Sequence, residues 1–215
     1  MPEYNYPNDG KFHTRYSELV GCTSDIASVR VAEQRAGLRP RVETEVMRFG
    51  IDRHDQFKEE SDRTGLTPQI FKEEIGFQLE VIHAEKKREV EYFQNCVIHF
   101  TADAYCKPHD LVDYKTTTTT GKVFFQSLQL PVYCLLMGKL GDRIERINYP
   151  IERWNKDRDT IIGYDLFTKE ISIAELAEAK KWLRERVARL RAADEYVYHE
   201  NGEYLTNNGA TPTLV

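Results

Sequence analysis

The stretch DLVDYKTTTTTGKVFFQSLQLPVYCLLM, from Asp110 to Met137, decides which fold we expect for this chain. It predicts a short apolar strand, a polar loop of five threonines and then a helix. Side chains alternate between the faces of a strand, so Asp113 and Lys115 share one face and Tyr114 lies on the other. Charged side chains are rarely buried without a partner or a task, so this acid and this lysine need an explanation.

A second carboxylate, Asp103, closes the preceding predicted strand, VIHFTAD. Two carboxylates on adjacent strands can converge on one point, where they repel each other unless a cation lies between them. Hard oxygen ligands of this kind favour magnesium or manganese. A lysine beside such a metal is typical of a phosphodiesterase, because its ammonium group stabilises charge developing on the phosphate. An ordinary exposed Asp–Lys pair is the alternative, and D-x-K alone does not exclude it.

The remaining pattern predicts an α/β protein with a mixed central β-sheet flanked by helices. Helices are expected over 17–36 with an interruption near 21–23, from Pro40 to about Gly65, and over 122–140. Strands are expected in IFKEEIGFQLEVI and EVEYFQNCVIHFTADAY, joined in a hairpin at HAEKKR, and in DLVDYK, RIERINYPIERW and TIIGYDLF. The last helix begins at Ser172 as N-cap, and Glu175 completes a capping box.

Length and composition indicate one domain over residues 1–215, with a core at about 16–196 and mobile tails at 1–10 and 200–215. The chain is 40% hydrophobic and 30% charged, which excludes a disordered protein. Its formal net charge of −5 argues neither for nor against a nucleic-acid partner. We find neither a signal-peptide pattern nor a membrane-spanning run, so we expect a cytoplasmic protein without a membrane partner.

Four short motifs follow one another along the chain: GIDRH at 50–54, FTAD ending at Asp103, DYK at 113–115 and QLPVY at 129–133. Each motif is weak alone. In this order they resemble the PD-(D/E)XK nuclease superfamily, in particular its RecB-like branch, which includes CRISPR-associated and phage exonucleases. The resemblance covers roughly residues 16–140 and implies a restriction-endonuclease-like core.

The resemblance also implies roles for individual residues. The implied metal ligands are His54, Asp103, Asp113 and the backbone carbonyl of Tyr114, for Mg²⁺ or Mn²⁺. The implied catalytic residues are Lys115, Asp113 and Asp103. Gly50 lies one helical turn before His54, which would let the helix approach the sheet closely beside the imidazole.

Gln129 and Tyr133, also one turn apart, would contact substrate or hold the active-site residues, and Gln126 extends their stripe toward the helix start. The alternative is a tyrosine at the edge of the core beside a solvated glutamine. Pro131 lies inside this motif, although proline normally breaks a helix interior. The threonines at 116–120 form a loop close enough to touch substrate, or a simple turn.

Two features depart from the pattern of the superfamily. Phe100 stands where a glycine often precedes the strand-closing Asp103. Several CRISPR-associated relatives hold an iron–sulfur cluster, but here only Cys22 is well placed and no cysteine follows Cys134, so we predict no cluster. The four cysteines also lack the spacing of a zinc site or a disulfide framework.

We therefore expect a single metal-dependent deoxyribonuclease domain. An exonuclease acting at single-stranded or duplex DNA ends fits best, in recombination, repair, replication, or phage or CRISPR DNA processing. DNA would be its substrate, and proteins of a recombination or CRISPR-adaptation complex its partners. Two alternatives stay open: a non-catalytic DNA-binding or scaffolding subunit that kept the fold, and a sequence-specific restriction-type endonuclease. The presence of all the expected ligands and the lysine favours the enzyme.

Overall fold

The computed structural model describes residues 9–119 and 127–197, in which groups of helices and groups of strands follow one another. The strands are β1 (Phe12–Arg15), β2 (Val81–Phe93), β3 (Cys96–Cys106), β4 (Asp110–Val112), β5 (Lys115–Thr117), β6 (Arg146–Trp154) and β7 (Ile161–Glu170). The helices are α1 (Tyr16–Gly21), α2 (Asp25–Arg35), α3 (Glu45–Thr64), α4 (Gln69–Ile75), α5 (Gln129–Lys139) and α6 (Ile173–Val197). The predicted tails fall almost entirely outside the described residues.

The described residues form two compact units that interleave along the sequence. The first contains residues 9–42, 89–100 and 180–197, and the second contains 43–88, 101–119 and 127–179. One unit boundary falls just before α3, and the other three fall inside β2, β3 and α6. All of the predicted site residues that the structure describes belong to the second unit.

The first unit combines a parallel strand pair with helices. In it β1 pairs in parallel with the start of β3, with Phe12 opposite Cys96. Helix α2 and the end of α6 pack through small side chains, including Ala32 and Ala193, which are both fully buried.

Among the helices within residues 9–119 and 127–197, none combines the length and the apolar character that a membrane span requires.

The second unit contains a mixed sheet built around β6. Strand β6 pairs in parallel with β4 and β5 and antiparallel with β7. The end of β3 lies antiparallel to β4, with Tyr105 opposite Leu111. This mixture of parallel and antiparallel pairs, with helices between the strands, confirms the expected α/β class.

The predicted strand DLVDYK is interrupted at its centre. Strands β4 and β5 both pair with β6 in the same register. Asp113 and Tyr114, which lie between them, are therefore opposite Tyr149 and Pro150. Proline has no N–H to donate to the ladder, so the pairing is broken here although the Asp113 N–H still reaches the Asn148 carbonyl at 3.0 Å. The acid of the D-x-K motif therefore lies at an irregular point of the sheet.

Aromatic side chains fill the core of the second unit beneath this break. The ring of Tyr114 lies 5.2 Å from Phe57 and stacks on Phe71 at 5.7 Å, measured between ring centroids. Val112 belongs to the same buried cluster, which confirms that Val112 and Tyr114 share a face. Tyr114 thereby anchors the break in the core and leaves its two sequence neighbours to face the other side.

Helix α4 contradicts the strand predicted over IFKEEIGFQLEVI. Pro68 precedes the helix, and Gly76 ends it in the left-handed conformation with φ 67°. Phe71 is fully buried and Ile75 follows it by one helical turn, so the apolar spacing fits a short helix as well as a strand. Periodicity alone cannot separate the two in so short a segment.

The predicted hairpin turn at HAEKKR is also wrong, because these residues lie inside β2. The turn between β2 and β3 is at Gln94–Asn95 instead. Asn95 takes φ 54°, a left-handed conformation that asparagine tolerates better than most residues. A run of charges can belong to a strand when its side chains remain in water, so charge was a misleading signal for a turn.

Other helix predictions hold at one end or both. The break near 21–23 separates α1 from α2. Helix α3 ends at Gly65 as expected but begins at Glu45 rather than at Pro40, because the Thr44 side chain accepts a hydrogen bond from the Met47 N–H. The capping box of α6 is confirmed, with Ser172 and Glu175 each accepting the other's backbone N–H at 3.1 Å.

Pro131 is accommodated because α5 begins at Gln129, so the proline lies in the first helical turn. The N–H groups of that turn have no partner within the helix, and a proline there loses no hydrogen bond. The beginning of the predicted helix over 122–140, up to residue 126, lies outside the described residues. Within the described part, the helix is shorter than predicted, and the side chain of Ser127 accepts from the Gln129 N–H at 3.2 Å.

Candidate active site

Asp113, Lys115 and Gln129 form a closed set of polar contacts. The Lys115 Nζ lies 2.5 Å from Asp113 Oδ2 and donates to Gln129 Oε1 at 3.2 Å. Gln129 Nε2 in turn donates to Asp113 Oδ1 at 3.1 Å. The Asp113 side chain is only 1% exposed, so both of its oxygens depend on these two partners rather than on water. Helix α5 thus brings an amide to the acid and the lysine of the interrupted strand.

Asp103 and His54 form a second group beside the first. The Tyr114 N–H donates to Asp103 Oδ2 at 2.8 Å, and His54 Nδ1 lies 3.4 Å from the same oxygen. His54 comes from the middle of α3, and Asp103 comes from β3. Three elements that are separate in sequence therefore place an imidazole and two carboxylates next to a lysine.

The electrostatics of the two groups are coupled. Burial, reinforced by the negative charge of Asp113, raises the pKa of Asp103 well above its usual value. Burial lowers the pKa of Lys115, but the two carboxylates raise it by more, so the net shift is upward and the ammonium form is retained. Burial lowers the pKa of His54, which favours the neutral imidazole, the form that binds metal ions.

The donor types fit a hard divalent cation, but the side chains are not gathered around one point. Among the residues that the structure describes, no three His, Cys, Asp or Glu side chains form a group that could hold a metal ion. Asp113 faces Lys115 and Gln129, while Asp103 faces His54. Burial and the neighbouring Asp113 charge raise the pKa of Asp103, and a cation bound beside this carboxylate would offset both causes.

The remaining predicted residues lie as follows. The Tyr114 side chain belongs to the aromatic core, and only its backbone reaches the site. Tyr133 is buried in α5, one turn beyond Gln129. Gln126 lies outside the described residues.

Sequence reasoning missed an ion pair next to His54. Glu152 of β6 is fully buried and accepts two hydrogen bonds from Arg53, at 2.6 and 2.8 Å. The indole N–H of Trp154 donates to the same carboxylate at 2.8 Å. A glutamate directly after the apolar run YPI at 149–151 was the available signal. Its partner, 99 residues away, could not be read from the sequence.

The fold is shared with solved nuclease structures. A putative exonuclease from Eubacterium rectale is similar at a TM-score of 0.57 and 12% identity, over 90% of this chain and 86% of that chain. A phage-related exonuclease from Haemophilus somnus 129PT is similar at a TM-score of 0.54 and 12% identity, over 86% and 94%. No protein-family model matches the sequence, and no curated protein matches it either.

At this level of identity the likeness is one of fold. It confirms the predicted α/β architecture, a mixed sheet flanked by helices, as in these nuclease folds. The assignment to the PD-(D/E)XK superfamily stays a prediction. The RecB-like branch stays a prediction, and so do the roles of the individual residues.

Proposed function

We propose that this protein is a metal-dependent deoxyribonuclease that hydrolyses phosphodiester bonds at DNA ends. The observation that carries the proposal is the contact of Asp113 with both Lys115 and Gln129, directly beside Asp103 and His54. The likeness of the fold to two exonuclease structures supports the same activity. Recombination, repair, replication, or phage or CRISPR DNA processing are the settings we propose, with partner proteins from such complexes.

Lys115 is the proposed electrostatic catalyst. Its raised pKa keeps it charged, and its contacts with Asp113 and Gln129 fix the position of the ammonium group. A fixed cation next to a phosphate stabilises the negative charge that develops during hydrolysis, without reorganisation at the moment of reaction. Gln129 would keep Asp113 and Lys115 in place, and Tyr133 and Gln126 would contact the substrate.

His54, Asp103 and Asp113, with the Tyr114 carbonyl, are the residues that would hold Mg²⁺ or Mn²⁺. When bound, such an ion would polarise the phosphate and lower the pKa of a water molecule. The Asp113 carboxylate would then be shared between the ion and Lys115, since its oxygens already face the lysine and Gln129. The Tyr114 N–H holds Asp103 from the other side at 2.8 Å.

Cleavage of end-labelled single-stranded and duplex DNA tests the proposal. Wild type is compared with Asp113→Ala and Lys115→Ala in Mg²⁺, Mn²⁺ or EDTA. Asp62→Ala and Lys72→Ala, at exposed positions on α3 and α4, serve as matched controls. We expect metal-dependent shortening by wild type and both controls, and none by the two site variants.

Three results would contradict the proposal in different ways. Wild type that binds DNA but cleaves nothing under any metal condition would support the non-catalytic subunit instead. Cleavage that survives in Asp113→Ala would place the active site elsewhere in the chain. Cleavage inside circular DNA at one sequence would favour a restriction-type endonuclease over an enzyme that acts at ends.

A further inference from the structure

A groove of about 160 Å³ lies in the second unit next to the candidate active site. Its lining combines aromatic, apolar, hydroxyl and cationic side chains: Val46, Phe49, Thr116, Thr117, Thr118, Trp154 and Arg158. Pockets for whole small molecules usually measure about 300–1,000 Å³, so this groove has room for a single group rather than a complete metabolite.

The groove is lined by residues of the same strand and the same helix that carry proposed catalytic residues. Thr116 directly follows Lys115 in β5, and Phe49 precedes His54 on α3 by little more than one turn. Gly50 lies beside Phe49, and a Cβ added there would come within 3.8 Å of the Thr116 hydroxyl. A chemical group bound in the groove would therefore contact β5 and α3, the strand and the helix that carry Lys115 and His54.

The aromatic wall of the groove is held in place. The rings of Phe49 and Trp154 meet edge to face with centroids 4.9 Å apart. The indole N–H of Trp154 is bound to the fully buried Glu152, which Arg53 grips through two hydrogen bonds. An indole fixed at its polar edge offers a preformed stacking surface, so a ligand ring would bind without first ordering the side chain.

Arg158 supplies a positive charge at the same groove. It adopts φ 57° in the turn between β6 and β7, where Asn155 and Asp159 hydrogen-bond each other. Within residues 9–119 and 127–197, its guanidinium has no carboxylate partner. A guanidinium beside hydroxyl groups is well suited to a phosphate, which it contacts through charge-assisted hydrogen bonds.

The aromatic rings and the guanidinium together indicate which kind of molecule the groove binds. An apolar protein segment would cover the guanidinium without offering it an acceptor, at a desolvation cost that opposes binding. A nucleotide satisfies both parts, because its base stacks on aromatic rings and its phosphate pairs with the cation. A base that stacks here must first leave its own helix, so the nucleotide is unpaired.

We propose that this groove binds the base of one unpaired nucleotide of a DNA strand, stacking it on Trp154 with Phe49 packed against its edge, and that Arg158 holds a neighbouring phosphate. The inference rests on the proposed nuclease function and adds a substrate preference to it. Strands enter the site single-stranded, or as duplex ends that open by at least one base pair.

Tryptophan fluorescence tests the stacking directly, since the chain has only two tryptophans, Trp154 and Trp182. In a Trp182→Phe background, oligo-dT is titrated in EDTA so that no cleavage occurs. We expect quenching of Trp154 that saturates together with the fluorescence anisotropy of labelled oligo-dT. A blunt duplex of equal length should quench much less. Trp154→Ala should weaken binding of oligo-dT about 5- to 150-fold.

Arg158→Ala gives a second test that does not depend on the core, because Arg158 lies in a surface turn. The slope of log Kd against log salt should fall by about 0.7, the value for one lost phosphate contact on a single strand. Arg143→Ala, an exposed arginine before the opposite end of β6, is the matched control and should leave the slope unchanged.

Binding of oligo-dT without quenching of Trp154, or with an unchanged salt slope in Arg158→Ala, would overturn the subsite. If DNA is still cleaved in that case, the proposed nuclease function stands and only the subsite is wrong. A wild type that neither binds nor cleaves any DNA would overturn the proposed function and this inference with it.

Discussion

At the scale of single residues, the contacts of Gln129 distinguish the two roles expected for the glutamine of the motif QLPVY, which were to contact substrate or to hold the active-site residues. Its amide contacts both Asp113 and Lys115, so we propose that it positions these two side chains rather than binding substrate. We predict that Gln129→Leu lowers kcat about 10- to 100-fold, as is usual when a supporting hydrogen bond at a metal site is lost, with little change in KM.

The outcome is checked by steady-state cleavage with Gln69→Leu on the surface of α4 as the control. Gln129→Glu should not rescue kcat, because a carboxylate cannot donate to Asp113 and would repel it. A rise in KM at normal kcat would instead mean that Gln129 binds substrate directly.

At the scale of elements, the packing around Gly50 in α3 leaves room for a side chain. A Cβ at Gly50 would make only an ordinary contact with Thr116, so the protein does not need a glycine there for close approach. Helix α3 passes beside β5 at this residue, but the approach is not so close that it requires a glycine.

We predict that Gly50→Ala stabilises the protein by about 0.5–1 kcal/mol, because glycine is a poor helix former. The same change should raise KM for single-stranded DNA, since the methyl group narrows the proposed subsite. Urea unfolding and cleavage kinetics measure the two effects. Gly138→Ala in α5 is the matched control, with open space around it, and should stabilise without changing KM.

The Arg53–Glu152 pair fixes the position of α3 relative to β6, and with it His54. We predict that Arg53→Met or Glu152→Leu alone destabilises the second unit by about 3–5 kcal/mol, because each leaves a charge without its partner. The double variant should lose less than either single one. Guanidinium unfolding of all four proteins checks this, and strictly additive losses would contradict the pair.

Sequence patterns predicted elements well where a local signal was complete. The capping box of α6 and the glycine that ends α3 are such signals. Helix α4 was missed because its apolar residues suit two periods. Pro131 looked anomalous only because the start of α5 was placed too early.

At the scale of the whole molecule, four motifs in order were sufficient to predict the fold, because each marks one element of the same architecture. The contacts of Asp103 with His54 and of Asp113 with Lys115 also follow from that order. The groove does not, since α3, β5 and the turn after β6 meet only in three dimensions. Long-range pairs carry no local sequence signal.

Asp103 and Asp113, with Lys115, form the proposed metal-dependent catalytic centre. The most direct measurement is the cleavage rate of end-labelled DNA by Asp103→Asn across a range of Mn²⁺ concentrations. Asparagine keeps an acceptor for the Tyr114 N–H but removes the charge that a cation needs. We predict a folded protein whose cleavage stays at the level seen in EDTA at every Mn²⁺ concentration. Cleavage by Asp103→Asn at the wild-type rate would show that metal-dependent cleavage does not need this carboxylate, and would contradict the proposed catalytic centre.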